Sequence, residues 1–188
     1  MIIATNNIGK INEIKSILND IDIYSLKEKG INIEVIEDGE TFVENAKKKA
    51  EAIYNISLEE TIADDSGLCI NCLNGFPGVM THRFLGENAT DREKNEYLID
   101  KVNEYSDRSA IFACYIVYFN EKDTIVGEGI LQGKIAKECR GKNGFGFDEI
   151  FELPNGKTLA ELSIEEKNNI SARKLAINDL KEKIKNKN

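Results

Sequence analysis

Apolar and polar positions along this chain predict two classes of β-strand. Short apolar runs are typical of buried or extended segments, and they occur at residues 1–5, 21–24, 31–36 and 61–63. Longer segments alternate apolar and polar residues, which predicts strands over Ser109–Phe119 and Thr124–Ile135. The polar residues 120–123 between them predict a hairpin turn.

Helical spacing predicts the remaining elements. Ile11, Ile14 and Leu18 recur at helical intervals after the first strand. Further helices begin at capping boxes, in which a Ser or Thr is followed three residues later by Glu, at Thr41, Thr90 and Ser163. The last helix is predicted to run unbroken from Ser163 to about residue 185. Since strands and helices alternate, the fold class is α/β, and 188 residues with 41% hydrophobic content suit one domain spanning 1–188.

Charge and hydropathy exclude several function classes. The net charge of −8 argues against a broad basic surface for DNA or RNA, so no nucleic-acid partner is expected. No apolar run approaches the ~18 residues of a membrane span, and the first residues lack a signal-peptide pattern. We therefore expect a cytoplasmic protein without a membrane partner.

The four cysteines are interpreted as structural thiols. Cys69 and Cys72 form a C-x-x-C pair, but a zinc site needs a second close pair, and Cys114 and Cys139 are far apart in sequence. A redox pair at a helix start is the alternative. The strand-like residues around Cys69 argue against it.

Two carboxylates stand side by side at the end of a predicted strand, Asp64 and Asp65, followed by Ser66 and Gly67. Successive strand residues point to opposite faces, so one carboxylate faces the interior or a cleft. A buried carboxylate needs a metal, an opposite charge or backbone N–H groups. The alternative is an Asx-turn that satisfies only its own loop.

Cationic residues lie near predicted helix starts. Lys10 follows Asn6 and Asn7 in a first helical turn, while Lys167 and Arg173 lie early in the last helix. A cation at the positive end of a helix is better explained by an anionic ligand than by stability. An ordinary Asn-capped turn and a solvated helix face are the alternatives.

A glycine-rich segment, GKNGFG at 141–146, precedes Phe147 and Asp148. Such a loop can stack a planar ring on phenylalanine and accept a hydrogen bond from it, although the phenylalanines are equally suited to a core. Cations that hold phosphates, carboxylates that hold Mg²⁺ and aromatics that hold a base together indicate chemistry on a nucleoside triphosphate.

The same segments resemble, in order, successive motifs of the inosine triphosphatase family, the noncanonical purine nucleoside triphosphate pyrophosphatases. They are TNNIGK (5–10), GETFVENA (39–46), IADDSGL (62–68), NGFPGV (74–79), ENATDREKN (87–95), FGFDEIF (145–151) and ELSIEEKNNISARKLA (161–176). The resemblance implies Mg²⁺-dependent hydrolysis of ITP, dITP and XTP to the monophosphate and pyrophosphate. It also implies a long bent mixed sheet with helices around it, two lobes enclosing a nucleotide cleft, and a homodimer.

By position, the resemblance also implies roles for individual residues. Asp65 is the general base and a metal ligand, and Glu37 is the second metal ligand, with Glu40 and Glu44 as alternatives. The expected phosphate-binding residues are Thr5, Asn6, Asn7, Lys10 and Lys167. Ser66 lines the pocket, and the residues expected to hold the base are Phe145, Gly146, Phe147, Asp148 and Arg173.

The chain departs from the family pattern at three positions. Ala172 replaces a histidine, Phe147 replaces tyrosine or tryptophan, and Glu149 replaces proline. The only histidine, His82, is a candidate for the missing function or for a rim or dimer contact. A nucleotide sensor that has lost turnover and a pyrophosphatase of another base specificity are therefore the alternative functions.

Overall fold

The computed structural model describes residues 1–86 and 88–187. Glu87, the first residue of the ENATDREKN motif, lies outside the described residues. The strands are β1 (Ile2–Ile3), β2 (Tyr24–Ser25), β3 (Thr61–Ile70), β4 (Ser109–Phe119), β5 (Thr124–Ile135) and β6 (Phe151–Glu152). The helices are α1 (Ile8–Ile17), α2 (Phe42–Ser57), α3 (Asp91–Val102), α4 (Ile164–Ile170) and α5 (Ala172–Lys185), with 3₁₀ turns at Asn71–Leu73, Gly78–Met80 and Leu159–Glu161.

The strands form one six-stranded sheet in the order β2-β1-β3-β4-β5-β6. β1 pairs in parallel with both β2 and β3, whereas β5 and β6 are antiparallel. The sheet is therefore mixed, and the predicted α/β class is confirmed. The hairpin prediction also holds, because Asn120 donates its backbone N–H to the carbonyl of Asp123 between β4 and β5.

The chain forms two compact units. Of the described residues, unit 1 comprises 1–66, 114–129 and 172–187, and unit 2 comprises 67–86, 88–113 and 130–171. The divisions between the two units fall within β3, β4 and β5. The assignment of the chain to a single domain stays a prediction. Each unit has its own apolar core. In unit 1, Ile2, Ala46, Ala50, Ile53 and Val117 pack together; in unit 2, Leu68, Leu98, Ile150 and Phe151 do so.

Local signals identified the helix starts correctly. Thr41, Thr90 and Ser163 each accept a backbone N–H three residues on, and the glutamate there reaches back to the cap. Thr158 makes a further capping box that the sequence analysis missed. Among the described residues, no helix combines the length and the apolar character that crossing a bilayer demands.

Two predictions about elements were wrong. The final helix is broken, because Ser171 is extended (φ −60°, ψ 153°) and ends α4 before α5 begins at Ala172. Serine side chains bond to nearby backbone groups and so favour positions between helices. The predicted strand does not end before Asp64, because β3 continues to Ile70 and the two aspartates lie within it. Residues 31–36, predicted as a short strand or an extended segment, form no strand. The break at Ser171 matters for function because it places Lys167 in unit 2 and Arg173 in unit 1.

Candidate active site

The carboxylate of Asp64 lies in the interior of unit 1 with no exposed surface. Its Oδ2 atom accepts hydrogen bonds from Nε (3.2 Å) and Nη2 (2.8 Å) of Arg173, and it lies 3.1 Å from Nζ of Lys10. Burial alone would raise the pKa of Asp64. Lys10 and Arg173 outweigh burial, so this pKa is held well below its usual range. Asp64 is therefore an ionised acceptor of hydrogen bonds in the interior of unit 1.

Arg173 joins that carboxylate to a second one. Its Nη1 donates to Oε2 of Glu13 at 2.6 Å, and Nη2 also donates to the hydroxyl of Ser66 at 3.1 Å. Burial disfavours the charged guanidinium, but Asp64 and Glu13 raise the pKa of Arg173 above its ordinary value. We call Lys10, Glu13, Asp64 and Arg173 the ionic cluster. β3, α1 and α5 deliver its members.

The neighbouring carboxylate, Asp65, is also buried but less well paired, with 3% exposure. Oδ2 accepts from Nδ2 of Asn45 at 3.2 Å, Oδ1 accepts from the backbone N–H of Ser66 at 3.0 Å, and Nζ of Lys49 lies 3.9 Å from Oδ1. Burial raises the pKa of Asp65, and Lys49 opposes that rise only in part. Adjacent aspartates on one strand thus have pKa values shifted in opposite directions.

Sequence analysis missed Asn45 and Lys49. Both are buried and lie one turn apart on α2, beside the apolar face that packs into the core. Oδ1 of Asn45 accepts the backbone N–H of Gly39 at 2.8 Å, so Asn45 ties the acidic loop before α2 to Asp65. A polar pair at i and i+4 on the buried side of an amphipathic helix was the available signal.

The three candidate glutamates, Glu37, Glu40 and Glu44, differ in their partners. Glu44 is occupied in the capping box, where its Oε2 accepts the N–H groups of Glu40 and Thr41. Glu40 has an exposed side chain. Glu37 lies 3.0 Å from Nζ of Lys49, which places its carboxylate near Asp65. In the described residues, no group of three or more His, Cys, Asp or Glu side chains is arranged to hold a metal.

The predicted phosphate loop forms the start of α1. Asn7 is the N-cap, and its Oδ1 accepts the backbone N–H of Lys10 at 3.1 Å, while Thr5 Oγ1 accepts the N–H of Asn7 at 3.2 Å. Asn6 is exposed. The first turn of α1 carries no acidic residue. The positive end of the helix is therefore not neutralised from within its own first turn.

In unit 2, a second group forms around residues 141–146, which we call the glycine loop. Asp148 Oδ2 accepts the backbone N–H of Phe145 at 2.8 Å and pairs with Nζ of Lys167. That ammonium lies 4.5 Å from the centre of the Phe145 ring, a cation–π distance. Gly144 has φ +80°, and a Cβ there would lie 2.0 Å from Asp148 Oδ2, so glycine is required.

Helix α3 holds the end of the glycine loop. Oδ2 of Asp91 accepts the N–H of Gly146 at 2.8 Å, and Nδ2 of the fully buried Asn95 donates to the carbonyl of Gly146 at 3.1 Å. The backbone N–H and carbonyl of Gly146 are thereby both bound by side chains one turn apart on α3. Phe145 is therefore held on one side through Gly146 and on the other through its own N–H bond to Asp148.

Phe147 corrects an expectation. Only 5% of its surface is exposed, and its ring packs 6.3 Å from Phe84 and 6.5 Å from Phe112 within the core of unit 2. It therefore presents no free face for a base, and the core alternative applies. Phe145, by contrast, is partly exposed.

The four cysteines and His82 were also considered from the sequence as candidate site residues. The thiols of Cys69, Cys72, Cys114 and Cys139 are free, and burial raises the pKa of Cys114 to about 12. His82 is exposed, and its backbone carbonyl accepts from Nζ of Lys94 at 2.8 Å.

The three predicted cations have different partners. Lys10 and Arg173 share one carboxylate oxygen in unit 1, whereas Lys167 belongs with Phe145 and Asp148 in unit 2. The roles expected of these residues toward phosphate and base stay predictions. Ser66 lies beside Arg173, as a residue lining the same site would.

Comparisons with known proteins agree with the family resemblance. The Ham1 family model matches residues 1–183. The chain is 41% identical over 192 residues to a dITP/XTP pyrophosphatase of Clostridium tetani, covering 98% of this chain and 96% of that protein. It is 44% identical over 196 residues to a protein of the same name from Clostridium perfringens, with the same coverage.

Solved structures extend the similarity to the fold. The Staphylococcus aureus Ham1 protein superposes with a TM-score of 0.89 at 41% identity, covering 100% of this chain and 98% of that one. A HAM1 protein from Coxiella burnetii superposes with a TM-score of 0.88 at 38% identity, covering 98% of each chain.

Proposed function

This chain belongs to the Ham1 family, and we propose that it hydrolyses noncanonical purine nucleoside triphosphates (ITP, dITP and XTP) to the monophosphate and pyrophosphate. The observation that carries the proposal is that relatives named dITP/XTP pyrophosphatase match the chain over nearly its full length. Buried Asp65, whose pKa burial raises, supports it as a candidate base.

Asp65 is the proposed general base for water attack on the α-phosphorus. A base is most effective when its pKa approaches the working pH, and burial moves Asp65 in that direction. Asn45 and the backbone of Ser66 fix the two carboxylate oxygens. Each oxygen keeps a lone pair for water, because an ionised carboxylate has about four acceptor sites.

The ionic cluster is proposed to organise the triphosphate end of the site. Lys10 and the capped start of α1 supply a cation and backbone N–H groups, together with Thr5, Asn6 and Asn7. Arg173 is assigned a supporting role, because all three guanidinium nitrogens already donate to Glu13, Asp64 or Ser66. Its direct contact with the base is not proposed.

Glu37 and Asp65 are the proposed Mg²⁺ ligands. Both carboxylates face the Lys49 ammonium, so a cation already suits this position. Two carboxylates fit Mg²⁺, which usually keeps several waters and takes its remaining ligands from phosphate. When bound, Mg²⁺ offsets phosphate charge and makes its water more acidic.

The glycine loop is proposed to bind the base. Phe145 offers a partly exposed ring, Asp148 and Lys167 offer an acceptor and a donor, and Gly146 is held by α3. Selectivity requires a donor to the 6-keto oxygen of hypoxanthine or xanthine, which the 6-amino group of adenine leaves unpaired. Lys167 is the donor that we assign.

The test is a pyrophosphate-release assay over ITP, dITP, XTP, ATP and GTP with Mg²⁺. We expect turnover of the first three and at least about a 100-fold loss for Asp65→Asn, with an unchanged circular dichroism spectrum. The control, Glu40→Gln, alters an exposed carboxylate of the same loop and should keep full activity.

Three outcomes would contradict parts of the proposal. Nucleotide that raises the melting temperature without any release of pyrophosphate would support the sensor alternative. Wild-type turnover by Asp65→Asn would remove Asp65 as the base. Preferred turnover of pyrimidine or modified nucleotides in a wider panel would support another specificity.

Assembly and location belong to the same proposal. We expect a single-domain, cytoplasmic homodimer, and the exposed apolar side chains of Met80 (40%) and Leu85 (37%), close in sequence to the candidate dimer contact His82, support a self-association surface. Light scattering after size-exclusion chromatography should give twice the mass of the 21.1 kDa chain. A monomer at micromolar concentration would overturn the dimer.

A further inference from the structure

The side chain of Lys49 lies among the oxygen atoms that the proposed metal site would use. It projects from the buried face of α2 and is 6% exposed. Nζ lies 3.0 Å from Oε1 of Glu37, 3.9 Å from Oδ1 of Asp65 and 2.7 Å from the backbone carbonyl of Asp64. Two carboxylates and a carbonyl are the donor types that a hard divalent cation prefers.

We propose that Lys49 is a resident cation that occupies the metal position in the nucleotide-free protein and keeps free Mg²⁺ from binding. This inference rests on the proposed function, because it takes Glu37 and Asp65 as the metal ligands.

Charge and distance support the competition. A Mg²⁺ ion sits about 2.0–2.1 Å from its oxygen ligands, so it would lie within a few ångströms of the Lys49 ammonium. Like charges at that separation repel strongly even at a surface-like dielectric constant. Metal entry therefore requires the ammonium to move or leaves the metal weakly bound.

The Lys49 ammonium also stabilises the groups around it in the nucleotide-free protein. Without Lys49, the carboxylates of Glu37 and Asp65 would face each other with little compensation, and the carbonyl of Asp64 would lose its donor. A substrate that carries its own negative charge relieves both problems, since it attracts metal and ammonium together. Metal and nucleotide should consequently bind with positive coupling.

The experiment is isothermal titration of Mn²⁺ into nucleotide-free protein, comparing wild type with Lys49→Met and Lys48→Met. Lys48 is exposed, pairs with Asp38 and lies on the same helix. Both variants lose one charge. We expect Lys49→Met to tighten Mn²⁺ binding about tenfold or more, and Lys48→Met to change it less than about twofold.

Two further variants and a measurement of thermal stability test the same inference independently. Lys49→Arg retains the cation and should bind Mn²⁺ as weakly as wild type, whereas adding Glu37→Gln to Lys49→Met should abolish the gain. Mn²⁺ should raise the melting temperature of Lys49→Met more than that of wild type. Unchanged or weaker Mn²⁺ affinity in folded Lys49→Met would overturn the inference.

Failure of this inference is distinguishable from failure of the proposed function. Wild type that releases pyrophosphate while Lys49→Met gains no metal affinity would leave the function in place and remove the role of Lys49. Wild type that releases no pyrophosphate would contradict the function whatever the metal titration gives.

Discussion

The two units solve the problem of holding polar groups in different ways. In unit 1, the ionic cluster places buried charges against one another, and each carboxylate position depends on side chains from other elements. In unit 2, the glycine loop is held mainly through its backbone, with Asp91, Asn95 and Asp148 bonding to main-chain groups. Charge compensation is critical in the first region, and backbone conformation is critical in the second.

Arg173→Met should have the largest effect, because it breaks the ionic cluster and leaves Asp64 and Glu13 buried without their main partner. Removing one partner of a buried ion pair typically costs about 3–5 kcal/mol. Urea unfolding followed by circular dichroism measures the loss. Arg92→Met is the control, since it removes an exposed arginine paired with Glu96 and should hardly move the midpoint.

The pH dependence sharpens this prediction. The low pKa of Asp64 in the folded wild type means that its stabilisation is present above the unfolded value near 3.8 and is lost only as the pH falls toward the folded pKa. Without Arg173 the pKa of Asp64 should rise. The stability gap between wild type and variant should therefore narrow from pH 7 to pH 4.5, and a gap that widens would contradict charge compensation.

Gly144→Ala should have an intermediate effect, and it tests the backbone side of the comparison. The matched control is Gly156→Ala, because Gly156 has a similar φ of +83° but open space around its Cβ position, whereas the Cβ at Gly144 would meet Asp148.

The control should cost about 1–2 kcal/mol from backbone strain, and Gly144→Ala should cost about 1–3 kcal/mol more from overpacking. Only Gly144→Ala should also raise KM for ITP, because its loop carries the proposed base-binding residues. Equal losses in the two variants would mean that the contact with Asp148 does not constrain the loop.

Leu58→Gly should have the smallest effect, and its sign is opposite. Leu58 ends α2 at φ +54° with 75% of its surface exposed, so a leucine adopts a left-handed conformation that suits glycine better. Relief of left-handed strain should stabilise the protein by about 0.5–1 kcal/mol. Leu58→Ala retains the Cβ and should give no gain in the unfolding midpoint.

Local features of the fold were predictable because their causes lie within a few residues. Thr41, Thr90 and Ser163 begin helices as expected, and the alternating segments of β4 and β5 have the predicted bounds. The break at Ser171 was missed, because helical periodicity continues on both sides of it.

Some individual site residues were predictable because the signals for them also lie within a few residues of the chain. Asp64 and Asp65 were recognisable as a costly carboxylate pair next to a buried apolar run, although β3 continues past both residues. Asn45 and Lys49 were missed because a buried polar side chain on a helix is recognisable only once its partner is known. Phe147 was misplaced because an aromatic residue beside glycines suits a core as well as a ligand site.

The sequence by itself determined the elements, the family resemblance and the residue types available for phosphate, metal and base. Only the tertiary structure decided which charges meet. Asp64 and Arg173 are 109 positions apart in the chain, yet they share a bond because separate elements converge in unit 1. Electrostatic energy and hydrogen bonding depend on distances in space, and no local pattern records those distances.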